Sequence, residues 1–449
     1  MKILALTCTL GLALAGAAHA DQSPVARAGA DAIVTHTLDN GLKVVIWPDH
    51  GIPNVALYTW FRVGGRNEYP GITGLAHFFE HMMFNGTQTL APGEFDRTME
   101  AAGGANNAYT SSDVTVYQDW FPKHALDTIL DLEADRMAHL AFDPKVIESE
   151  RGVVYSERRS SVDNDPAGAL IEQMQATAFV AHPYQFPVIG WPSDVENWSM
   201  DDLKAFYRTY YAPNNAVMLL VGDVDPAEVM KKIEARFAAI PAQPAPRAIT
   251  TVEPEQHGER RVRVEKAGIQ APLVAMAWHV GNATAADHRP LELALSILSE
   301  GEASRLHQRL VEHEQLALSI SSSLDSGFDP GLVWIYASLP PGGDPTKVER
   351  IIDEELARLV KDGVSERELN RAHKTLQANF WRQLQTISGK AQALGSFDVF
   401  HGDFRQVFDE PAQLAAVDAK ALQDTARQTF RTANRTVGVI RPLATPSKD

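Results

Sequence analysis

Apolar and polar positions along the chain fall into short strand-like runs and longer helical stretches, and the same order of runs occurs twice. Residues 35–38, a turn at Asn40-Gly41 and residues 42–47 read as a hairpin, because Asn-Gly supplies the positive φ angles that tight connections need. Residues 55–63 then form a further apolar strand. The second half opens in a similar way, with residues 261–265 followed by residues 273–280. Period-3.6 patterns predict helices over residues 124–140 and 345–361, each followed by another helix after Asp143-Pro144 or Asp362-Gly363. Each half ends in an apolar strand, residues 216–221 and 436–440. Between them, residues 241–257 contain Pro241, Pro244, Pro246 and Pro254 and read as a linker. The pattern predicts an α+β protein of two tandem homologous units, each an α/β sandwich, over residues 33–240 and 258–443.

Composition narrows this picture. A chain of 449 residues, 45% of them hydrophobic, has ample material for two or three packed cores. Residues 1–20 read as a cleavable secretory signal peptide: Lys2 gives the charged start, residues 3–17 the apolar stretch, and Ala18-His19-Ala20 the small-residue cleavage site. Cys8, the single cysteine, lies inside that segment, so no disulfide is expected in the secreted product. Beyond residue 20 no apolar run approaches twenty residues, which argues against stable membrane insertion and, with the short signal, for a bacterial periplasm. A net charge of −16 disfavours nucleic acid and favours cationic ligands.

Residues 77–81 read His-Phe-Phe-Glu-His, which places His77, Glu80 and His81 on one helical face. Two imidazoles one turn apart can share a Zn²⁺, while the carboxylate between them reaches an attacking water as general base. Thr73 is placed to cap this helix, and Met82-Met83-Phe84 continues its apolar face before Asn85-Gly86 stops it. Histidines on a mostly buried helix need partners, which favours a metal or a hydrogen-bond network over two solvated side chains. A hydrolytic zinc usually takes a third protein ligand. By spacing alone Glu148, Glu150 and Glu157 all remain open for that place, on a further predicted helix.

The run Gly74-Leu75-Ala76-His77-Phe78-Phe79-Glu80-His81-Met82-Met83-Phe84-Asn85-Gly86-Thr87 resembles the signature of the pitrilysin or insulinase family of inverted-motif zinc metallopeptidases, in its processing-peptidase-like branch of about 450 residues. The resemblance extends over both halves. It implies one Zn²⁺ per chain and a fold forming half of a clamshell, with antiparallel-rich sheets covered by helices. In that family the third ligand lies about 76 residues beyond the second histidine, and Glu157 stands 76 residues beyond His81. Glu157 is therefore the implied ligand and Glu150 the implied carboxylate behind a ligating histidine. Residues 103–110, Gly-Gly-Ala-Asn-Asn-Ala-Tyr-Thr, resemble the family's substrate-binding edge strand, which assigns peptide contact to Ala105, Asn106, Asn107, Ala108 and Tyr109. His182-Pro183-Tyr184 and Tyr211-Ala212-Pro213-Asn214-Asn215 match landmarks of a structural kind.

One expected feature is missing. Active members commonly bring an arginine and a tyrosine, seven residues apart, from the second half to the substrate; here those positions fall on Val311 and Leu318. Arg305 is the nearest alternative donor. Loss of one oxyanion donor costs about 2.7–4 kcal/mol of transition-state stabilisation. The resemblance thus implies a zinc endopeptidase of peptides or unfolded polypeptides that works with a related second subunit supplying the pair, or otherwise as a homodimer. Two other readings compete: a non-catalytic scaffold, which has no need of all four of His77, Glu80, His81 and Glu157, and a zinc-binding protein, which has no need of Glu80.

Overall fold

Two β-sheets form, one from each half of the chain. They are seen in a computed structural model that describes residues 30–443. The signal peptide expected over residues 1–20 lies outside the described residues. The first sheet holds β1 (Val34–Thr37), β2 (Lys43–Pro48), β3 (Asn54–Phe61), β4 (Ala105–Thr110), β5 (Thr115–Pro122) and β6 (Ala216–Gly222), in the order β1-β2-β6-β3-β5-β4. The second holds β7 (Arg260–Lys266), β8 (Leu273–His279), β9 (Ser319–Leu324), β10 (Leu332–Ser338) and β11 (Arg435–Pro442), in the order β7-β11-β8-β10-β9. Without β1 the two orders correspond strand for strand, including the single parallel pair in each, β2 with β6 and β7 with β11. The repeat expected from the apolar pattern is thus a structural one, and the fold is α+β.

Helices of the first half are α1 (Leu75–Met82), α2 (Glu94–Ala101), α3 (Leu126–His139), α4 (Pro144–Arg158), α5 (Pro166–Ala178), α6 (Pro192–Asn197), α7 (Met200–Tyr210) and α8 (Pro226–Phe237). Those of the second half are α9 (His288–Ser299), α10 (Pro345–Asp362), α11 (Glu366–Gln383), α12 (Ile387–His401), α13 (Glu410–Ala415) and α14 (Ala419–Thr429). An Asp-Pro pair opens α4, α5, α8 and α10: proline fits the first helical position, and the preceding aspartate accepts a first-turn amide, worth about 1 kcal/mol. The helix expected from residue 124 begins with a 3₁₀ turn, and α3 proper starts at Leu126.

One face of each sheet packs against helices of its own half. Ile46, Leu57 and Leu220 meet Phe78, Ile129, Phe206 and Ile233, while Met276 and Ile335 meet Leu291, Ile352 and Leu422. The other faces are covered by exchange. Ala391 and Leu394 of α12 lie on Val45, Tyr58, Trp60 and Leu219 of the first sheet. Leu170 and Met174 of α5 lie on Ala275, Ala277 and Ile440 of the second. Approach is close enough that a Cβ on Gly395 would stand 2.3 Å from the Trp60 indole, and one on Gly438 2.3 Å from Met174 Sδ.

Residues 241–257 form no helix or strand, yet they are pinned. The Glu253 carboxylate accepts the amides of Val180, Ala181 and His182, each at 2.9 Å. Gln256, buried, donates to the carbonyls of Gly258 and Arg435. Across the halves, Asp329 accepts from Arg66, contacts His182 Nε2 at 3.1 Å and donates its amide to the Tyr184 hydroxyl at 3.2 Å, while Tyr184 donates to Asp113 at 2.7 Å within the first half. His182 and Tyr184 therefore act in the junction between halves.

Candidate active site

Helix α1 buries Leu75, Ala76, Phe78, Phe79 and Met82, and this leaves His77, Glu80 and His81 on its one accessible face. Phe79 stacks on Phe206 with ring centroids 5.9 Å apart, and each fully buried aromatic contributes about 1.5–3 kcal/mol to holding the helix down. Two buried tyrosines also grip its backbone from below: Tyr117 donates to the Phe79 carbonyl and Tyr211 to that of Ala76, both at 3.1 Å. Thr73, expected to cap α1, does not. The N-cap is Gly74, at φ 90°, and the Thr73 hydroxyl instead donates to Asp194 at 2.7 Å. A threonine pays a steric penalty at that left-handed φ, whereas glycine does not.

Helix α4 crosses the same face and brings Glu157 to both imidazoles. Its Oε2 lies 3.6 Å from His77 Nε2 and 3.3 Å from His81 Nε2, and the three ligand atoms all lie within 4.8 Å of one another. Ligands at about 2.0–2.1 Å around a tetrahedral ion lie about 3.3–3.4 Å apart, so the two-nitrogen, one-oxygen set has the size of a zinc site with a fourth position open. Among the described residues no other group of three His, Cys, Asp or Glu side chains meets this spacing. Glu150, two turns before Glu157, contacts His81 Nδ1 at 2.7 Å and so favours a proton on that nitrogen, which leaves Nε2, facing Glu157, as the nitrogen that could hold a metal. Nδ1 of His77 is buried without a partner.

Electrostatics separates the two histidines. Burial and the neighbouring His81 push the His77 pKa down to about 4, so its lone pair is available near neutrality. Burial opposes charge on His81 too, but the hydrogen bonds that its ring donates to Glu150 and Glu157 outweigh it and raise its pKa to about 9. A proton and a cation therefore compete for His81 Nε2. The bond with His81 lowers the pKa of Glu157. Burial raises that of Glu80, toward what a general base needs, against the lowering effect of Thr110. Thr110, the last residue of β4, donates its hydroxyl to Glu80 Oε2 at 2.6 Å. The period-2 alternation of residues 105–110 is the sequence signal that puts Thr110 on the α1 side, and nothing local names Glu80 as its partner.

The residues expected to touch substrate lie on β4, which is the outermost strand of its sheet. Alternation sends Asn106, Ala108 and Thr110 toward the α1 side: Asn106 donates to Asp96 at 3.0 Å, and Ala108 packs on the first core. Ala105, Asn107 and Tyr109 point to the other face, where the Tyr109 hydroxyl accepts from Gln392 of α12 at 3.0 Å. In the second half, Val311 packs against the second core and Leu318 is exposed. Arg305 makes a two-pronged pair with Glu368, at 2.7 and 2.9 Å, and donates to the Gly363 carbonyl, so it is committed to holding its own half together. His313 and Glu314 are exposed at the end of a π-helical segment.

Residues 43–190 match the family described as insulinase, peptidase family M16, and residues 197–376 match the peptidase M16 inactive domain. The chain is 32% identical to the zinc protease PqqE of Helicobacter pylori, over 90% of this chain and 92% of that one. It is 27% identical to a Bacillus subtilis protein named as the zinc protease YmxG, over 91% and 98%. A solved protease structure from Helicobacter pylori superposes with a TM-score of 0.88 at 30% identity, covering 91% of this chain and 99% of that one. At 20% identity the fold also resembles the periplasmic protease PqqL of Escherichia coli, with a TM-score of 0.76, where it covers 93% of this chain and 49% of that one.

Proposed function

Because the chain belongs to the insulinase, or M16, peptidase family, we propose that it is a secreted zinc endopeptidase in which His77, His81 and Glu157 hold the ion and Glu80 is the general base. The observation that carries this reading is the convergence of three ligand atoms from α1 and α4 within 4.8 Å, beside a carboxylate held by Thr110. When bound, the ion supplies Lewis acidity, bringing the pKa of water toward about 7 and polarising a carbonyl. Glu80 takes a proton from the attacking water and returns it to the leaving amine. Glu150 fixes the ring of His81 throughout.

An extended peptide fits the free edge of β4 as an added strand, so main-chain hydrogen bonds from Ala105, Asn106, Asn107, Ala108 and Tyr109 hold it with little demand on its sequence. The chain lacks a donor at Val311 and Leu318, and Arg305 is occupied by Glu368. We therefore assign it as the metal-bearing subunit of a pair, with the oxyanion donors supplied by a related second subunit or otherwise by a second copy. The fold's correspondence to one half of the longer PqqL chain supports this pairing. The periplasm is the proposed site of action; among the described residues no helix is long and apolar enough to cross a membrane.

The test uses a quenched-fluorescent peptide and metal analysis, on the chain alone and with its co-purifying partner. Glu80→Gln should keep about one zinc per chain and lose hydrolysis. A Glu80→Gln protein that turns over normally would remove Glu80 from its role, and full activity of the isolated monomer would remove the second subunit. A scaffold reading has one observation in its favour, the match of residues 197–376 to an inactive domain. That match begins beyond Glu157 and contains none of His77, Glu80, His81 and Glu157, and it fits the division of labour equally well.

A further inference from the structure

The ligand-bearing helices meet at the site itself through Glu150 and His81, and they are also joined from behind, through one loop. Glu68, 3% exposed, accepts the amides of Gly74 and Ala76 at 2.6 and 2.7 Å, and so satisfies the first turn of α1 that Gly74 has no side chain to cap. Asp194 of α6 accepts the amides of Gly71 and Thr73 and the Thr73 hydroxyl. Immediately against this turn runs Gly190. A Cβ on Gly190 would stand 2.4 Å from the Thr73 carbonyl oxygen, and one on Gly74 2.7 Å from that of Ile189, so the two backbones lock with no room for a side chain.

The Gly190 carbonyl accepts from Arg158 Nη1 at 2.8 Å. Arg158 is 3% exposed, directly follows Glu157 on α4, and pairs bidentately with Glu172 of α5 at 2.7 and 3.0 Å. A continuous path thus runs from Glu157 through Arg158 and Gly190 to the N-cap of α1, Gly74, three residues before His77. A guanidinium can serve the carbonyl and both carboxylate oxygens at once because its donors form a rigid fork; an ammonium cannot hold all three in the same geometry.

We propose that Arg158 is a positioning residue that sets the separation of the two ligand-bearing helices and thereby the affinity of the site for its divalent ion. The inference rests on the metal reading of His77, His81 and Glu157. Arg158 itself touches neither the ligand atoms nor the substrate strand; its hydrogen-bond partners are Glu172 and the Gly190 carbonyl.

The experiment measures Zn²⁺ affinity by competition with a chromophoric chelator, together with thermal stability of the metal-free chain, for the full-length protein and three variants. Arg158→Lys should weaken zinc binding about ten- to hundredfold, the usual effect of losing an outer-shell support. Glu172→Gln, which leaves the Arg158 bond to Gly190, should weaken it less. Arg305→Lys is the control: Arg305 makes the same kind of contact, two prongs to Glu368 and one to the Gly363 carbonyl, but in the second half, away from the metal. Its loss should lower stability comparably and leave zinc affinity unchanged. Equal zinc affinity in wild type and Arg158→Lys, or equal weakening by Arg305→Lys, would overturn the proposal. If Arg158→Lys does not fold, the comparison of Glu172→Gln with Arg305→Lys decides by the same criterion. Absence of zinc binding by the wild-type chain would instead overturn the metal reading itself, which keeps the two failures apart.

Discussion

Thr110 is the side chain whose role is read most directly from a single contact. Its hydroxyl is the hydrogen-bond donor found on the Glu80 carboxylate, and a bond to a charged group is worth about 1.5–3 kcal/mol. Thr110→Val, which keeps the shape, should lower kcat about ten- to hundredfold while zinc content by metal analysis stays the same; unchanged kcat would show that Glu80 is aligned by other means. Glu292 on α9 carries a different prediction. Burial first, and Glu410 next, raise its pKa from an ordinary 4.5 to about 7. Between those values the folded chain holds a proton that the unfolded chain has lost, so this group's contribution to stability falls as pH rises through the window. Glu292→Gln should therefore gain on wild type in denaturant midpoint from pH 4.5 to 7, and parallel pH profiles would refute it. His77, Glu80 and His81 were legible because their spacing is local to one helix. Glu157 was not: on α4 nothing separates it from the exposed Glu148 except the family's spacing. The alternation along residues 105–110 gives the face of Thr110 but not its partner, and Arg158 has no sequence signal for its role, since the partners, 30 and 32 residues away, are met only through the tertiary fold.

At the scale of elements, strands and helix starts were readable and the pairing of surfaces was not. Alternation and the Asn40-Gly41 turn located β1 and β2, and Asp143-Pro144 located α4, because turn and cap chemistry act within a few residues. A helix pattern reveals that a face is buried and is silent on what buries it. Helix α12 has apolar residues around most of its circumference, Ala391, Leu394 and Val399 on the sheet and Phe397 and Phe400 beside them, and only the structure places it across the first sheet. That placement makes Gly395 a steric requirement. Gly395→Ala forces a methyl group into the Trp60 indole, and overpacking of this kind costs about 1–3 kcal/mol. A lowered unfolding midpoint is expected in differential scanning fluorimetry. An unchanged midpoint would mean that α12 does not lie on β3 at this depth.

For the whole molecule the exchanged helices matter more than the linker. The proline-rich residues 241–257 suggest two separable units, but α5 belongs by sequence to the first half and covers the second sheet, while α12 does the reverse. Cut in the linker, the first half would expose Val45, Trp47, Ala56, Tyr58 and Trp60, and the second Ala275, Ala277, Trp334 and Ile440, each a contiguous apolar sheet face. The junction would also lose the Arg66 and His182 contacts to Asp329, and the pairing of Tyr184 with Asp113 would lose its neighbour Phe328. Residues 30–248 and 249–443, expressed separately, should therefore aggregate, and expressed together should assemble into a soluble complex of one copy each, measured by size-exclusion chromatography with light scattering. Since Glu172, the anchor of Arg158, lies on exchanged α5, the complex and not the first half alone should bind zinc with the affinity of the intact chain. A soluble, folded first half with wild-type zinc affinity would show that the second sheet is not needed to hold α5, and through it the metal-bearing helices, in place.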